Sequence, residues 1–459
     1  MLEFVVVGNG AVGMMISIAV ARANPDWNVS IVGPSDRRFS ASTAAGAMAN
    51  VFAEVEALPS KQKKLGERLL ELGVVATRKW LSFLQDTGGS HSITARETLV
   101  VLKRNASDFE KRNFEAMAET ALSEGVAKHE TSDSLRYFSG EKANNFESVL
   151  RLTDEFAMDS AVLISHLDAV ASNLGVTFID AMASKINPVT RKISLTDGSE
   201  IFAEHIVAAT GAFTASLFSA ESGLLPMFQG VGTALVADRI PGGGAPIEVI
   251  RSVNRGGAQC GVHLVPITGG GLYIGAGNNV TRIQEPLTRF ETISYLLETV
   301  EKEFLGRTVG YALEGHVRLG LRPRSLDSYP MIGPLSKFDG VFIATATNRA
   351  GLTWAPEIAD QVVRWVSGRS LEPQMDSWAP DRASLLSGFE EDVLENYVES
   401  RIGAGLEHGI IQDEARDLDR ARTEIRGSGE KLIRQLERAG LHGVHPDNWA
   451  AAASISGKD

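Results

Sequence analysis

Apolar residues are grouped along this chain in two ways: short unbroken runs, and longer stretches in which they recur at helical spacing. The first run, Phe4 to Val7, predicts a short buried parallel strand. After it Met14, Met15, Ile16, Ile18 and Val20 predict a buried helix, and Val29 to Val32 a second strand. Leu65, Leu69, Leu72, Val75, Ala76, Trp80 and Leu84 repeat at helical spacing and predict a long amphipathic helix over Lys61 to Leu84. Ser92 to Lys103 predicts two short strands, with helical polar sequence following to about Gly125.

The middle of the chain changes period. Asp159 to Asn173 predicts a helix capped by Asp159 or Ser160, and Val176 to Ile179 a strand. Lys192 to Leu195 and Glu200 to Phe202, joined by Thr196-Asp197-Gly198-Ser199, predict a hairpin. His205 to Ala209 predicts another buried strand, which runs into Thr210-Gly211-Ala212. Val231 to Gly277, rich in β-branched residues, Gly and Pro, predicts several antiparallel strands, with His263 as a strand-face residue rather than a catalytic base. Thr288 to Phe304 predicts a helix. Val341 to Thr345 is a further strand that turns through Asn348 into a helix reaching Val366. Asp381 to Ser400 and Gln412 to Ala439 predict two helices in the tail.

The chain has 459 residues, enough for several domains, and an ordinary balance of 44% hydrophobic and 22% charged residues. Its net charge of −12 argues against a nucleic-acid partner, because phosphate neutralisation needs a basic surface. The single cysteine, Cys260, allows no internal disulfide or thiolate cluster and is expected to be a small buried hydrophobe in a reducing cytosol. The apolar start carries Glu3 and is broken by Gly8, Asn9 and Gly10, so it is read as a strand and not as a secretion signal. No run is long enough to span a bilayer, and a cytoplasmic location is expected. No metal site is expected.

The turn after the first strand carries the spacing G-x-G-x-x-G at Gly8, Gly10 and Gly13. Gly8 lets the chain leave the strand sharply, Gly10 leaves room for a pyrophosphate against the backbone, and Gly13 lets the helix approach the sheet. The helix N-terminus adds N–H groups and partial positive charge. Between a strand and a helix this pattern predicts a dinucleotide site; alone it would be an ordinary tight turn. The second strand should end in an acid that binds a ribose hydroxyl. Gly33 and Pro34 stand there instead, with Ser35 and Asp36 the nearest polar groups, so the fingerprint does not select the dinucleotide. The small residues of Ser42-Thr43-Ala44-Ala45-Gly46 suit either close approach of a ligand or a helix cap at Ser42 or Thr43. The late strand–turn–helix unit aims a second helix N-terminus at an electron-rich group, such as the pyrimidine edge of a flavin.

The blocks VVVGNGAVG, STAAGAMANVFAE, IVAATGAFT, GLRPRSLDSYPMIG and NRAGLTWAP resemble, in order, those of the FAD-dependent amine and amino-acid oxidases. That family includes D-amino acid oxidase, glycine oxidase and sarcosine oxidase, and the chain is most similar in style to glycine oxidase. The resemblance implies an α/β fold. It has a Rossmann-like FAD-binding domain, a mixed antiparallel-sheet substrate domain and, beyond the family pattern, a helical C-terminal extension. The expected division is 1–80, 146–225 and 315–370 for FAD, 81–145 and 226–314 for substrate, and 371–459 for the extension. Flavin contacts are implied at Gly8, Gly10, Gly13, Ser42, Ala45, Gly46, Gly211, Gly351, Leu352 and Thr353, with the Ala183 backbone at the adenine. Ala11, Val12, Thr43, Thr210 and Ala350 complete the expected cofactor set, together with Arg322.

The resemblance further assigns Arg322 to the substrate carboxylate and places Arg349 near the substrate. Arg318 and Arg324 share the parity of Arg322, but Pro323 is expected to break that regularity and both are left out of the site. Ala346-Thr347 replaces the family's Gly-His, and no cysteine lies where sarcosine oxidases attach flavin, so FAD is expected to be non-covalent. The implied reaction is hydride transfer from the Cα of an amine bearing a carboxylate to flavin N5, with oxygen as acceptor. Two alternatives share the fold: a dehydrogenase using another acceptor, and a non-catalytic flavoprotein scaffold. The tail is expected to pack on the body, or to act as a lid or a homo-oligomerisation arm.

Overall fold

The computed structural model describes residues 2–58, 60–130, 145–238, 246–254, 261–282, 287–305, 315–386, 390–407, 411 and 415–454. The first apolar run forms the strand Glu3–Val7 at the centre of a six-stranded sheet. Its neighbours are Asn28–Val32 and then Thr177–Ile179 on one side, and His205–Ala208, Val341–Thr345 and Met331–Pro334 on the other. All pair in parallel except the last. Strands buried on both faces need continuous apolar sequence, which explains why the sheet was legible as short unbroken runs. The helices Ala11–Ala23 and Gly351–Val366, from opposite ends of the chain, share one apolar core with that sheet.

A second, eight-stranded sheet runs in the order Gly315–Ser325, Met227–Ala237, Gly271–Thr281, His263–Ile267, Val249–Ser252, Thr98–Lys103, Phe146–Leu152, Ala127–Glu130. Phe146–Leu152 and Gly315–Ser325 therefore pair with the strands of the expected substrate domain, although their residue numbers fall in the segments assigned to FAD. The strand Gly315–Ser325 is continuous through Pro323, contrary to the break expected there. It is an edge strand, and the Pro323 carbonyl faces outward, accepting from the Asn348 N–H at 2.8 Å. The missing N–H lies on that outer side, where no ladder bond is lost.

Three boundaries differ from expectation for local reasons. The expected Thr288–Phe304 helix is α-helical over Phe290–Thr299 and widens to a π-helix over Val300–Leu305. The small-residue helix is only Ala41–Ala44, and its cap is Ser40, not Ser42 or Thr43. The first tail helix is Glu390–Glu407 and does not begin at Asp381. Residues 381–386 are held in an irregular path, with Arg382 and the Leu385 N–H both bonded to the Asp327 carboxylate. Cys260 lies outside the described residues.

The tail packs on the body, as expected for its apolar spacing. Helix Ala415–Arg438 contributes Ile425, Leu432, Ile433 and Leu436 to a core shared with the main sheet. A buried polar joint fixes it further. Arg324 donates to Asp447 at 3.0 Å and to Asn448 at 3.2 Å, and Asp447 accepts from Ser400. Asn448 in turn donates to the carbonyls of Ser325 and Leu326.

Candidate active site

The two strand–turn–helix units open on one cavity of about 830 Å³. Gly8, Gly10 and Val12 line it from the amino-terminal turn; Ala350, Gly351, Leu352 and Thr353 line it from the late one. Gly8 takes φ +114°, a left-handed conformation, where the chain leaves the strand. A Cβ on Gly10 would stand 2.9 Å from Ser42 Oγ and fill the cradle that a phosphate would approach. No residue at the N-cap of Gly351–Val366 caps it with a side chain. Its first N–H groups are therefore available to an acceptor in the cavity. Ser42, Ala45 and Gly46 form another wall, Thr210 and Gly211 a third, and Ala183 the far end. These features fit a long, polar-ended dinucleotide such as FAD.

Three of the expected cofactor residues stand behind the wall. The Ala11 N–H is bonded to Ser42 Oγ at 2.9 Å. Gly13 faces the carbonyl of Gly8, where a Cβ would collide, so its role is close packing of helix on strand. Thr43 Oγ1 donates to the Ser40 carbonyl at 3.2 Å and serves the short helix.

Arg322 reaches the cavity from the edge strand Gly315–Ser325, in register with Gly230. Its guanidinium lies over Gly232, where an added Cβ would be 2.9 Å from Cζ. Nη1 donates to the Gly277 carbonyl at 3.2 Å, and no carboxylate pairs with it among the described residues. Arg324, of the same parity, is turned to the tail joint, and Arg318 donates to Ser160 Oγ at 3.0 Å.

Arg349 also lines the cavity, but two carboxylates already hold it: Glu54 at 2.7 Å and Glu56 at 3.3 Å. Glu54 is bonded to Arg251 as well, at 2.7 Å. Burial raises the Glu54 carboxyl, but Arg349 and then Arg251 outweigh it and hold its pKa at about 2. Glu56 moves upward, chiefly by burial against the pull of Arg349, with Glu54 and Asp447 adding repulsion. His263 is a strand residue, as expected, yet it also lines the cavity. Burial, then Arg251 and Arg322, lowers its pKa to about 3, so it is neutral at pH 7. The sequence reading missed Asn50 and Glu54 as wall residues, although both lie in the quoted block STAAGAMANVFAE. Met48–Ala49 pairs with Phe156–Met158 and brings Asn50 to the site, a contact no local pattern announces.

Residues 3–365 match the family model described as FAD dependent oxidoreductase, DAO. Solved structures share the fold. Glycine oxidase from Geobacillus kaustophilus superposes with a TM-score of 0.71 at 17% identity, covering 83% of this chain and 100% of its own. Iminodiacetate oxidase from Chelativorans sp. BNC1 gives 0.67 at 18% identity, with 83% and 100% covered. L-proline dehydrogenase from P. horikoshii gives 0.65 at 18%, with 83% and 97% covered. No curated protein sequence matches the chain. No helix among the described residues is long and apolar enough to cross a membrane, and they hold no metal-binding cluster.

Proposed function

The chain belongs to the DAO family of FAD-dependent oxidoreductases, and from that membership we propose that it oxidises the C–N bond of a small amino acid or secondary amine carrying one carboxylate. FAD, when bound, supplies the two-electron acceptor for the hydride. The observation that carries the reading is Arg322: it lines the cavity, and no carboxylate neutralises it among the described residues. A guanidinium fork matches both oxygens of a carboxylate and fixes their orientation. Cα is one bond from that carboxylate, so the clamp also sets where the reacting C–H bond lies.

Arg349 is a positioning residue in this reading, since Glu54 and Glu56 occupy it. The cavity therefore offers one carboxylate site rather than two. Neither His263 nor Glu54 is a useful base at neutral pH, because both hold protons only under acid conditions. The substrate amine accordingly enters neutral. Loss of hydride from the Cα of the neutral amine leaves an iminium cation, which water hydrolyses to an oxo acid and the protonated amine.

Oxygen is the proposed acceptor, the location cytoplasmic, and a homo-oligomer is compatible with the exposed outer face of helix Ala415–Arg438. The domain division proposed from sequence is kept, with Phe146–Leu152 and Gly315–Ser325 following their sheet. Incubating the yellow protein in air with a panel of amino and N-methyl amino acids tests the reaction. Equal yields of oxo acid and hydrogen peroxide support an oxidase. Turnover only with an added quinone or dye supports a dehydrogenase, a reading favoured by the proline dehydrogenase among the structural neighbours. A flavin that no amine reduces leaves the scaffold.

A further inference from the structure

The second strand of the main sheet lacks the acid that a dinucleotide's ribose calls for. The structure shows why no side chain stands there. A Cβ on Gly33 would be 2.5 Å from Asn9 Cγ, and Asn9 itself is anchored by its Nδ2 donating to the Pro34 carbonyl at 2.9 Å. The space an acid would leave through is filled by Asn9.

The neighbouring strand provides a substitute. Thr177–Ile179 runs parallel to Asn28–Val32 with Val32 opposite Ile179, and the Gly33 N–H donates to the Ile179 carbonyl at 3.1 Å. The next residue is Asp180, so the sheet places it beside Gly33, displaced outward by one strand spacing of about 4.8 Å. Asp180 lines the same cavity, beside Ala183 at the end expected for adenine. Its Oδ1 accepts from the Ser35 N–H at 2.8 Å, and the Ser35 side chain bonds the same carboxylate, which fixes it in an exposed position facing the cavity. Asp36 also lines the cavity, but it bends back on its own turn, with Oδ1 accepting from the Arg38 N–H at 3.1 Å.

We propose that Asp180 binds the adenosine ribose hydroxyl of FAD, a task moved from the end of the second strand to the adjacent one. An ionised carboxylate accepts from a hydroxyl in a charge-assisted bond stronger than a neutral one. Ser35 pre-orients it.

The proposal rests on FAD binding and not on the substrate assignment. Its test is fluorescence titration of the apo-protein with FAD and with FAD carrying 2′-deoxyadenosine. Asp180→Ala and Asp180→Asn should each raise the FAD Kd about tenfold, and Asp36→Ala should leave it unchanged. The wild-type protein should bind the deoxy analogue about tenfold more weakly than FAD, and the Asp180 variants should show no such difference. Equal wild-type affinity for the two ligands overturns the proposal even if a variant fails to fold. So does an Asp180 variant that weakens both ligands alike, which would mean only a loosened Ser35 loop. A wild-type protein that binds neither ligand contradicts FAD dependence itself, a separate failure.

Discussion

Arg349 and Glu54 are bonded to each other at 2.7 Å on the wall of the cavity that Arg322 also lines. That pairing separates two arginines with similar sequence credentials. One is already neutralised by the protein, and the other awaits a carboxylate from outside.

Arg322→Ala should raise KM by roughly a hundredfold, which corresponds to about 3 kcal/mol, while the purified protein stays yellow. Gly232→Ala is a gentler probe, because its methyl group would displace the guanidinium without removing it. A KM increase of about tenfold is expected for that variant. Steady-state kinetics with the flavin spectrum as control checks both.

Dicarboxylic amino acids should bind no better than their monocarboxylate analogues, because Arg349 has no charge to spare. Releasing it should change that. Glu54→Gln leaves Arg349 and Arg251 undercompensated, and a loss of about 3–5 kcal/mol of stability is expected for breaking such a partly buried network. Combining Glu54→Gln with Arg349→Gln should cost less than the sum of the single changes, by more than about 1 kcal/mol in denaturant unfolding. Additive losses would show that the pair is not coupled.

Stability should depend on pH through His263. Its folded pKa, about 3, lies below the unfolded value of about 6.5. Between those values the unfolded chain binds the extra proton, so stability falls as pH drops, by about 1.4 kcal/mol per pH unit from this group. Glu54, held at about 2, adds a second loss below the usual glutamate range near 4.5. His263→Gln should flatten the fall in Tm between about pH 6.5 and 5 and leave the steeper loss below it.

The tail joint should be needed for folding. Asp447→Ala strands the fully buried Arg324 beside Asn448 and Ser328, and a loss of about 3–5 kcal/mol is expected. Truncation before residue 380 removes Asp447 and Asn448 from Arg324 and Arg382 from Asp327 together, and should give insoluble or flavin-free protein. A truncated chain with unchanged Tm would show that the tail is a mere appendage.

The parallel sheet was legible because buried strands write their burial as unbroken apolar runs, and both ligand-facing turns were legible because glycine marks close approach. Pro323 misled, since an edge strand can carry a proline whose missing N–H points outward, and edge status is a tertiary fact. Glu54 and Asp180 were invisible for a related reason. Each reaches the cavity because another segment lies beside it: Arg251 and Arg349 for the first, Gly33 and Ser35 for the second. Asp381 to Ser400 was over-read as helix because its composition permits one, whereas bonds to Asp327 decide its first residues.

The central claim is that Arg322 holds the carboxylate of an amine whose electrons pass to the bound flavin. Anaerobic titration of wild-type and Arg322→Ala proteins with amino and N-methyl amino acids, followed by loss of the oxidised flavin's visible band, tests it most directly. Bleaching of the wild type by at least one monocarboxylate amine, shifted roughly a hundredfold to higher concentration in the variant, is the result expected. Bleaching of both proteins at the same concentration, or of neither by any such amine, would contradict it.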